Sequence, residues 1–360
     1  MSRFHPLTIA DVRRETADAV SISFAVPDGL RDAYRFIPGQ YLTLRTEIGG
    51  EETRRSYSIC SGLDDGELRV AVKKVEGGVF STFANDNLAR GMTLDVMIPE
   101  GRFLAEPHAE VEGNYVAFAA GSGVTPILAI VKTLLEREPK SEITFFYGNR
   151  ATDSILFRVA LEDLKDRFLE RFNLIHVLSR EEQDVDLLHG RLDAGRIRKL
   201  AEAGLFDPAE VDSYFLCGPG DMIGQAKEAL AGLGVAPEKI HSEMFVPADG
   251  AAPPRAVSKR ARETVQRGVH IETLLDGTRR SFEMLEGDGN VVAAAARQGL
   301  ELPYSCKGGM CCTCRCKVVE GEVEMALNYS LEPWEMAAGF TLACQARPLT
   351  GKLVLDFDEV

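Results

Sequence analysis

Basic residues are scarce relative to acids: 41 Lys and Arg stand against 55 Asp and Glu, a formal net charge of −14 at pH 7. An acidic surface of that size repels phosphate backbones. It argues against a nucleic-acid partner and for a basic protein, or one with a basic docking patch. Nothing at the start resembles a secretory leader. Met1-Ser2-Arg3-Phe4-His5-Pro6 leads into an alternating segment with no apolar core and no small-residue cleavage site. Residues 115–135 approach the length of a membrane span, but Gly121, Ser122, Gly123, Thr125, Pro126 and Lys132 interrupt them. A soluble, cytoplasmic protein is the expectation. No internal repeat is present, and cysteine is almost absent from the first 300 residues. Six of the eight (Cys306, Cys311, Cys312, Cys314, Cys316 and Cys344) fall in the last 55 residues. In an intracellular chain such clustering points to metal rather than to disulfides.

What is present is ordinary globular protein, 45% apolar and 27% charged over 360 residues, enough for two or three domains. Short alternating runs at 19–26, 40–46, 67–75 and 92–98, set between Gly, Pro and Asp turns, predict a β sandwich or small barrel. From about 112 to 245 strand and helix alternate. Apolar runs at 115–120, 142–147, 172–178 and 213–217 are separated by helical patterns at 126–137, 156–167 and 220–233, which indicates a parallel, doubly wound α/β sheet. Residues 247–266, rich in Ala, Pro, Gly and basic side chains, read as a linker, and a small α+β domain follows from 267. The expected domains are therefore 1–108, 109–246 and 267–360.

Cys306-Lys-Gly-Gly-Met-Cys311-Cys-Thr-Cys314 with a distant Cys344 has the spacing of plant-type [2Fe–2S] ferredoxins. Gly308 and Gly309 allow a close wrap that aims N–H groups at the sulfurs. The rival is a structural zinc site, although zinc ribbons show two short C-x-x-C pairs and only Cys344 stands at the second end. Cys312 and Cys316 do not fit the ligand spacing and read as small apolar packing residues, with a redox-sensor role as the alternative. Arg55-Ser-Tyr57-Ser58 offers a phosphate clamp, an aromatic ring for a flat heterocycle and a hydroxyl for a ring nitrogen, or simply a polar strand face. Gly77-Gly78-Val79-Phe80-Ser81 is either a diphosphate-wrapping loop or a capped helix start. Gly121-Ser-Gly123-Val-Thr125-Pro126, between a buried strand and a helix, suits a pyrophosphate but lacks the third glycine of G-x-G-x-x-G. Cys217-Gly218-Pro219 closes a late strand of the same sheet and belongs on the same edge.

Together these residues resemble the ferredoxin–NADP reductase superfamily, with a plant-type ferredoxin fused at the C-terminus. The resemblance implies a β-barrel flavin domain, a doubly wound nucleotide domain and a β-grasp ferredoxin domain. Arg55 would hold the flavin diphosphate, Tyr57 stack on the isoalloxazine, and Ser58 lie near its N5. Gly78, Val79 and Ser81 match the pyrophosphate loop. Gly121, Gly123, Thr125 and Pro126 match the nicotinamide nucleotide loop, with Cys217, Gly218 and Pro219 beside the nicotinamide and Glu243 and Phe245 closing the flavin site. Ser58, Cys217 and Glu243 are the expected catalytic residues, and Cys306, Cys311, Cys314 and Cys344 the cluster ligands. Arg150, Ser179 and Arg180 end successive strands with basic or hydroxyl groups and lean towards NADPH, with NADH possible. The pyrophosphate loop favours FAD over the FMN of phthalate dioxygenase-type reductases. The segments around Tyr304–Arg315 and Asn328–Glu335 resemble the branch whose members serve phenylacetyl-CoA epoxidases, with close relatives serving the Rieske-type 3-ketosteroid 9α-hydroxylases. The implied partner is thus an oxygenase component. A zinc-stabilised binding module on a degenerate flavoprotein fold is the alternative from another class.

Overall fold

Apolar side chains at alternate positions of most of its strands build the first sheet. The computed structural model describes residues 4–245 and 255–359, which fall into two compact units divided at the break. The first unit opens with β1 (Phe4–Thr16), β2 (Ala19–Ala25), β3 (Tyr41–Ile48), β4 (Glu51–Ser58), β5 (Leu68–Lys73), α1 (Val79–Asn87) and β6 (Thr93–Met97). The strands form an antiparallel sheet in the order β4-β3-β6-β1-β2-β5. A bridge between Ile59 and Val70 joins its two edges, so the sheet curls into the expected barrel around Leu7, Ile9, Ile22, Leu42, Leu44 and Val70. β2 is buried on both faces because Ser21, on its polar side, bonds Glu15 and Arg69.

The second half of this unit holds β7 (Asn114–Ala120), α2 (Val124–Arg137), β8 (Glu142–Asn149), α3 (Arg158–Arg167), β9 (Phe172–Leu178), α4 (Ala194–Glu202), β10 (Ser213–Pro219), α5 (Gly220–Gly232) and β11 (Ile240–Phe245). All five strands are parallel, in the order β11-β10-β7-β8-β9. The order reverses between β7 and β10, and ligands of doubly wound sheets sit at such a switch point, outside the carboxyl ends of the strands. Pro126 falls in the first turn of α2, where its missing N–H costs nothing. α4, with Ala194, Ile197 and Leu200 buried at three-residue spacing, and β11 add to the elements expected from the sequence; Asp193 caps α4, accepting the Arg196 N–H at 2.8 Å. One apolar cluster, including Cys60, Phe103, Ile127, Phe145 and Cys217, runs between barrel and sheet. Lys132 and Arg137 of α2 add ion pairs to Asp65 (2.6 Å) and Asp64 (2.8 Å) of the barrel.

The other unit contains α6 (Lys259–Gln266), β12 (Val269–Leu275), β13 (Thr278–Met284), α7 (Val291–Arg297), β14 (Arg315–Glu320), β15 (Val323–Met325), α8 (Pro333–Ala337), β16 (Phe340–Leu342), β17 (Ala346–Pro348) and β18 (Lys352–Asp356). A mixed sheet of order β13-β12-β18-β14-β16 covers α7, the β-grasp arrangement, and β15 pairs with β17. Of the segment expected as linker, 247–254 lies outside the described residues. Its last part is α6, capped by Ser258, with Arg260 bonding the Leu349 carbonyl. No helix among the described residues is long and apolar enough to cross a membrane.

Candidate functional site

On β4, Arg55 is exposed and Tyr57 half-buried, while Ser58 turns inward. The Tyr57 ring lies 5.5 Å from that of Phe80 on α1, which fixes the start of that helix beside β4. Gly77 has φ 69° with no atom within 4 Å of where a Cβ would stand, so the turn before α1 is open to a ligand. Ser81 is not. Its hydroxyl bonds the Gly78 carbonyl and receives the Val75 N–H, while the Gly78 N–H donates to the Val75 carbonyl at 2.9 Å, so the loop is shaped from within. Helix N-termini of this kind take anionic oxygens.

The catalytic candidates converge although three strands carry them. The Ser58 hydroxyl donates to the Glu243 carboxylate at 3.2 Å, and Glu243 is in register with Cys217 on the neighbouring strand. Burial pushes the Glu243 carboxyl up to about 7, opposed by the Ser58 hydrogen bond. Burial also raises the Cys217 thiol well above its ordinary value, so it stands as a neutral, compact wall. Phe245, in register with Pro219, packs against the shared apolar cluster.

At the switch point the two glycines of the turn after β7 differ in role. Gly121 has φ 54° and open space at its Cβ position, whereas a Cβ on Gly123 would stand 2.2 Å from the Cys217 carbonyl oxygen. Gly121 therefore admits a ligand, and Gly123 admits β10. Thr125 bonds the Ser122 carbonyl, holding the turn. Tyr147, fully buried on β8, donates its hydroxyl to the Gly121 carbonyl at 3.0 Å, a support that an apolar-looking strand does not announce. At the ends of β8 and β9 the Arg180 N–H bonds the Arg150 carbonyl (2.8 Å), so two exposed guanidinium groups leave adjacent backbone. Glu181 is turned away, its carboxylate taking the Thr152 N–H (2.7 Å) and hydroxyl (2.8 Å). Ser179 bonds the Asn149 carbonyl.

In the second unit the four cysteines stand as two pairs. All four are free thiols, Cys306 hydrogen-bonded to Cys311 and Cys314 to Cys344, a division that suits two irons. The Cys311 thiol, joined by the N–H groups of Met310, Gly308 and Cys311, holds Cys306 down to about 5 against the cost of burial. Lys307 (φ 50°), Gly309 (φ 74°) and Cys312 (φ 57°) take left-handed backbone to make this wrap. Thiolate donors, inward N–H groups and a pairwise arrangement fit a [2Fe–2S] cluster. Among the described residues, no three His, Cys, Asp or Glu side chains gather as a single-ion site. Cys316 is buried packing, and Cys312 bonds Ser330.

A curled flavin barrel, a nucleotide sheet with an open switch-point turn and a paired-cysteine β-grasp unit define a pyridine-nucleotide-dependent flavin and iron–sulfur reductase of the ferredoxin–NADP reductase type. Family models match in the same order: an oxidoreductase FAD-binding domain over residues 6–104, an oxidoreductase NAD-binding domain over 118–228, and a 2Fe-2S iron-sulfur cluster binding domain over 274–349. The chain is 48% identical over 358 residues to a subunit of the 1,2-phenylacetyl-CoA epoxidase of Escherichia coli (strain K12), covering 99% of both. It is 33% identical over 361 residues to the ferredoxin reductase component of 3-ketosteroid-9-alpha-monooxygenase of Rhodococcus rhodochrous, covering 99% of this chain and 97% of that one. The solved structure of phthalate dioxygenase reductase shares the fold, with a TM-score of 0.59 at 20% identity over 98% of each chain. The chain belongs to this family of oxygenase reductase components, and FAD, a pyridine nucleotide and a [2Fe–2S] cluster are its cofactors.

Proposed function

We propose that this protein carries electrons from NADPH to the oxygenase component of a phenylacetyl-CoA-epoxidising system. The observation that carries the chemistry is the meeting of Ser58, Glu243 and Cys217 at the switch point, beside both the flavin strand and the nucleotide turn. The client rests on the 48% identity along the whole chain. FAD held by Arg55, Tyr57 and the loop before α1 would supply hydride acceptance from the reduced nicotinamide and single-electron release towards the cluster.

The residues of the chain bind, orient and exclude water. Arg55 neutralises the flavin diphosphate, aided by the N–H group at Val79 at the start of α1, while Ser81 keeps that loop in shape. Tyr57 and Phe245 provide apolar surface for the flavin rings. Gly121, Thr125 and Pro126 present the start of α2 to the nucleotide pyrophosphate, and Gly218 and Pro219 bring β10 beside the nicotinamide, with Gly123 allowing the close approach. Cys217 walls the site without charge. Glu243, near neutrality in its pKa, holds or releases a proton through the Ser58 hydroxyl next to the reacting ring. Arg150, Ser179 and Arg180 receive the 2′-phosphate. Cys306, Cys311, Cys314 and Cys344 bind the two irons.

The test is reconstitution with purified oxygenases. Epoxidation of phenylacetyl-CoA driven by this protein and NADPH, with no turnover of a Rieske-type steroid hydroxylase, supports the assignment. The reverse preference would assign the client to the steroid hydroxylases.

A further inference from the structure

A glutamine follows the last cysteine of the chain, and it is buried. Gln345 is 6% exposed, beside Cys344 at 2%. A buried amide is tolerated where its N–H groups find acceptors. The Gln345 Nε2 donates to the Lys307 carbonyl at 2.7 Å and to the Cys344 sulfur at 3.5 Å. Because a carbonyl can only accept, the Lys307 contact fixes which end of the amide faces the cluster loop. The backbone of Gln345 is held as well. Its N–H donates to the Leu342 carbonyl at 2.8 Å, and its own carbonyl accepts the Ala326 N–H at 3.0 Å. The stem is confined from the loop side, where a Cβ on Gly309 (φ 74°) would stand 3.3 Å from the Gln345 Cγ.

One side chain thus joins the residue after Cys306 to the sulfur of Cys344, across 38 residues of chain. The two sulfurs are served differently. Cys306 receives the backbone N–H groups of Gly308 (3.3 Å) and Cys311 (3.5 Å), which the shape of the loop supplies whatever its side chains. The amide donor to Cys344 depends on the identity of residue 345. A ligating thiolate accepts hydrogen bonds and donates none, and an N–H aimed at it offsets the negative charge that arrives on reduction. Burial of both partners strengthens the contact, because little water is there to compete.

We propose that Gln345 is a positioning residue for electron transfer: its amide, oriented by the Lys307 carbonyl, donates to the Cys344 sulfur and so raises the reduction potential of the cluster. The proposal rests on the assignment of Cys344 as a ligand in the function given above. Gln345 acts through that ligand, and the same amide pins the turn after Cys306 to the turn that carries Cys344.

An EPR-monitored potential titration of the full-length holoprotein, paired with resonance Raman spectra, is the test. Gln345→Met keeps the length and bulk of the side chain and removes its N–H donors. The reduced-to-oxidised cluster ratio at a fixed potential falls about threefold in this variant, equivalent to ~28 mV for a one-electron couple, while the flavin couple is unmoved. The iron–cysteine sulfur stretching band rises in frequency as the sulfur loses its hydrogen bond. A wild-type midpoint in Gln345→Met overturns the proposal. So does a lowered midpoint with an unmoved stretching band, which would trace the shift to a loosened loop. Should Gln345→Met fail to assemble its cluster, wild-type protein grown with glutamine labelled at the amide nitrogen decides: pulsed EPR of the reduced cluster shows a coupling to the label if the bond is made, and absence of that coupling rejects it. An EPR signal left unchanged by Cys344→Ser would instead overturn the ligand assignment, and the proposal with it.

Discussion

Ser58 and Glu243 lie 185 residues apart in the chain and 3.2 Å apart in space, the hydroxyl of one donating to the carboxylate of the other. The contact ties the end of the barrel to the edge strand of the nucleotide sheet, and it holds a titratable carboxyl beside the Ser58 hydroxyl. Glu243 has its folded pKa raised from 4.5 to about 7, so the fold favours the protonated form. Its contribution to stability is fully present below the unfolded value and is lost as the pH rises through the folded one, by about 3 kcal/mol in the limit. Glu243→Gln removes that dependence. Thermal unfolding followed between about pH 5 and about pH 8 should show the variant gaining on the wild type as the pH rises. Stopped-flow flavin reduction by NADPH should be slowed about 10–100-fold in the same variant.

Nucleotide choice is expected to lie with the arginines at the ends of β8 and β9. Glu181, the acid nearest in sequence, is occupied by Thr152, so the guanidinium groups of Arg150 and Arg180 dominate that corner. Arg180→Ala should raise the KM for NADPH about tenfold, the worth of one charge-assisted contact, and leave that for NADH nearly unchanged. Steady-state kinetics with both nucleotides measures this. Equal effects would remove Arg180 from the 2′-phosphate site.

Tyr147→Phe deletes one hydroxyl from beneath the Gly121 turn without opening a cavity. The turn then loses a support worth about 1 kcal/mol, and the nucleotide KM should rise several-fold with kcat unaltered. A fall in kcat at constant KM would contradict a role confined to ground-state binding.

Electron delivery to the oxygenase should depend only shallowly on salt. The acidic residues of the cluster unit are engaged within it: Glu320 with Lys352, Glu322 with Arg260, Glu335 with Arg315, Glu359 with Lys317, and Asp358 with the N–H groups of Asp276 and Gly277. Charges already paired contribute little to long-range steering. Turnover measured from low to high ionic strength checks this, and a steep decline would mean that the pairs open on docking.

Much of this site was legible because its chemistry is local in sequence. Cys306, Cys311 and Cys314 at ferredoxin spacing, Arg55-Ser-Tyr57-Ser58 and the strand–glycine turn–helix at Gly121 are each signals contained within a few residues, and only Cys344 stands apart. What sequence patterns do not carry is a contact made by tertiary folding alone. Tyr147 reads as one more apolar residue of a buried strand, and its hydroxyl matters only because β7 lies alongside. Gly121 and Gly123 look equivalent as letters, yet the backbone of β10 fills the space beside one and leaves the other open. Ser81 looks like a phosphate ligand and instead serves its own loop. α4 is short, and its apolar face is only Ala194, Ile197 and Leu200 in a charged stretch, while α6 is hidden because basic residues beside a Pro-rich run resemble a linker.

The path from nucleotide through flavin to cluster is tested most directly by anaerobic titration of the purified protein with NADPH, and then NADH, followed by visible absorption and low-temperature EPR. The flavin band should bleach and a rhombic signal below the free-electron average grow with it, at lower concentrations of NADPH than of NADH. Flavin bleaching with no such signal, in protein shown by analysis to hold iron and sulfide, would contradict that path.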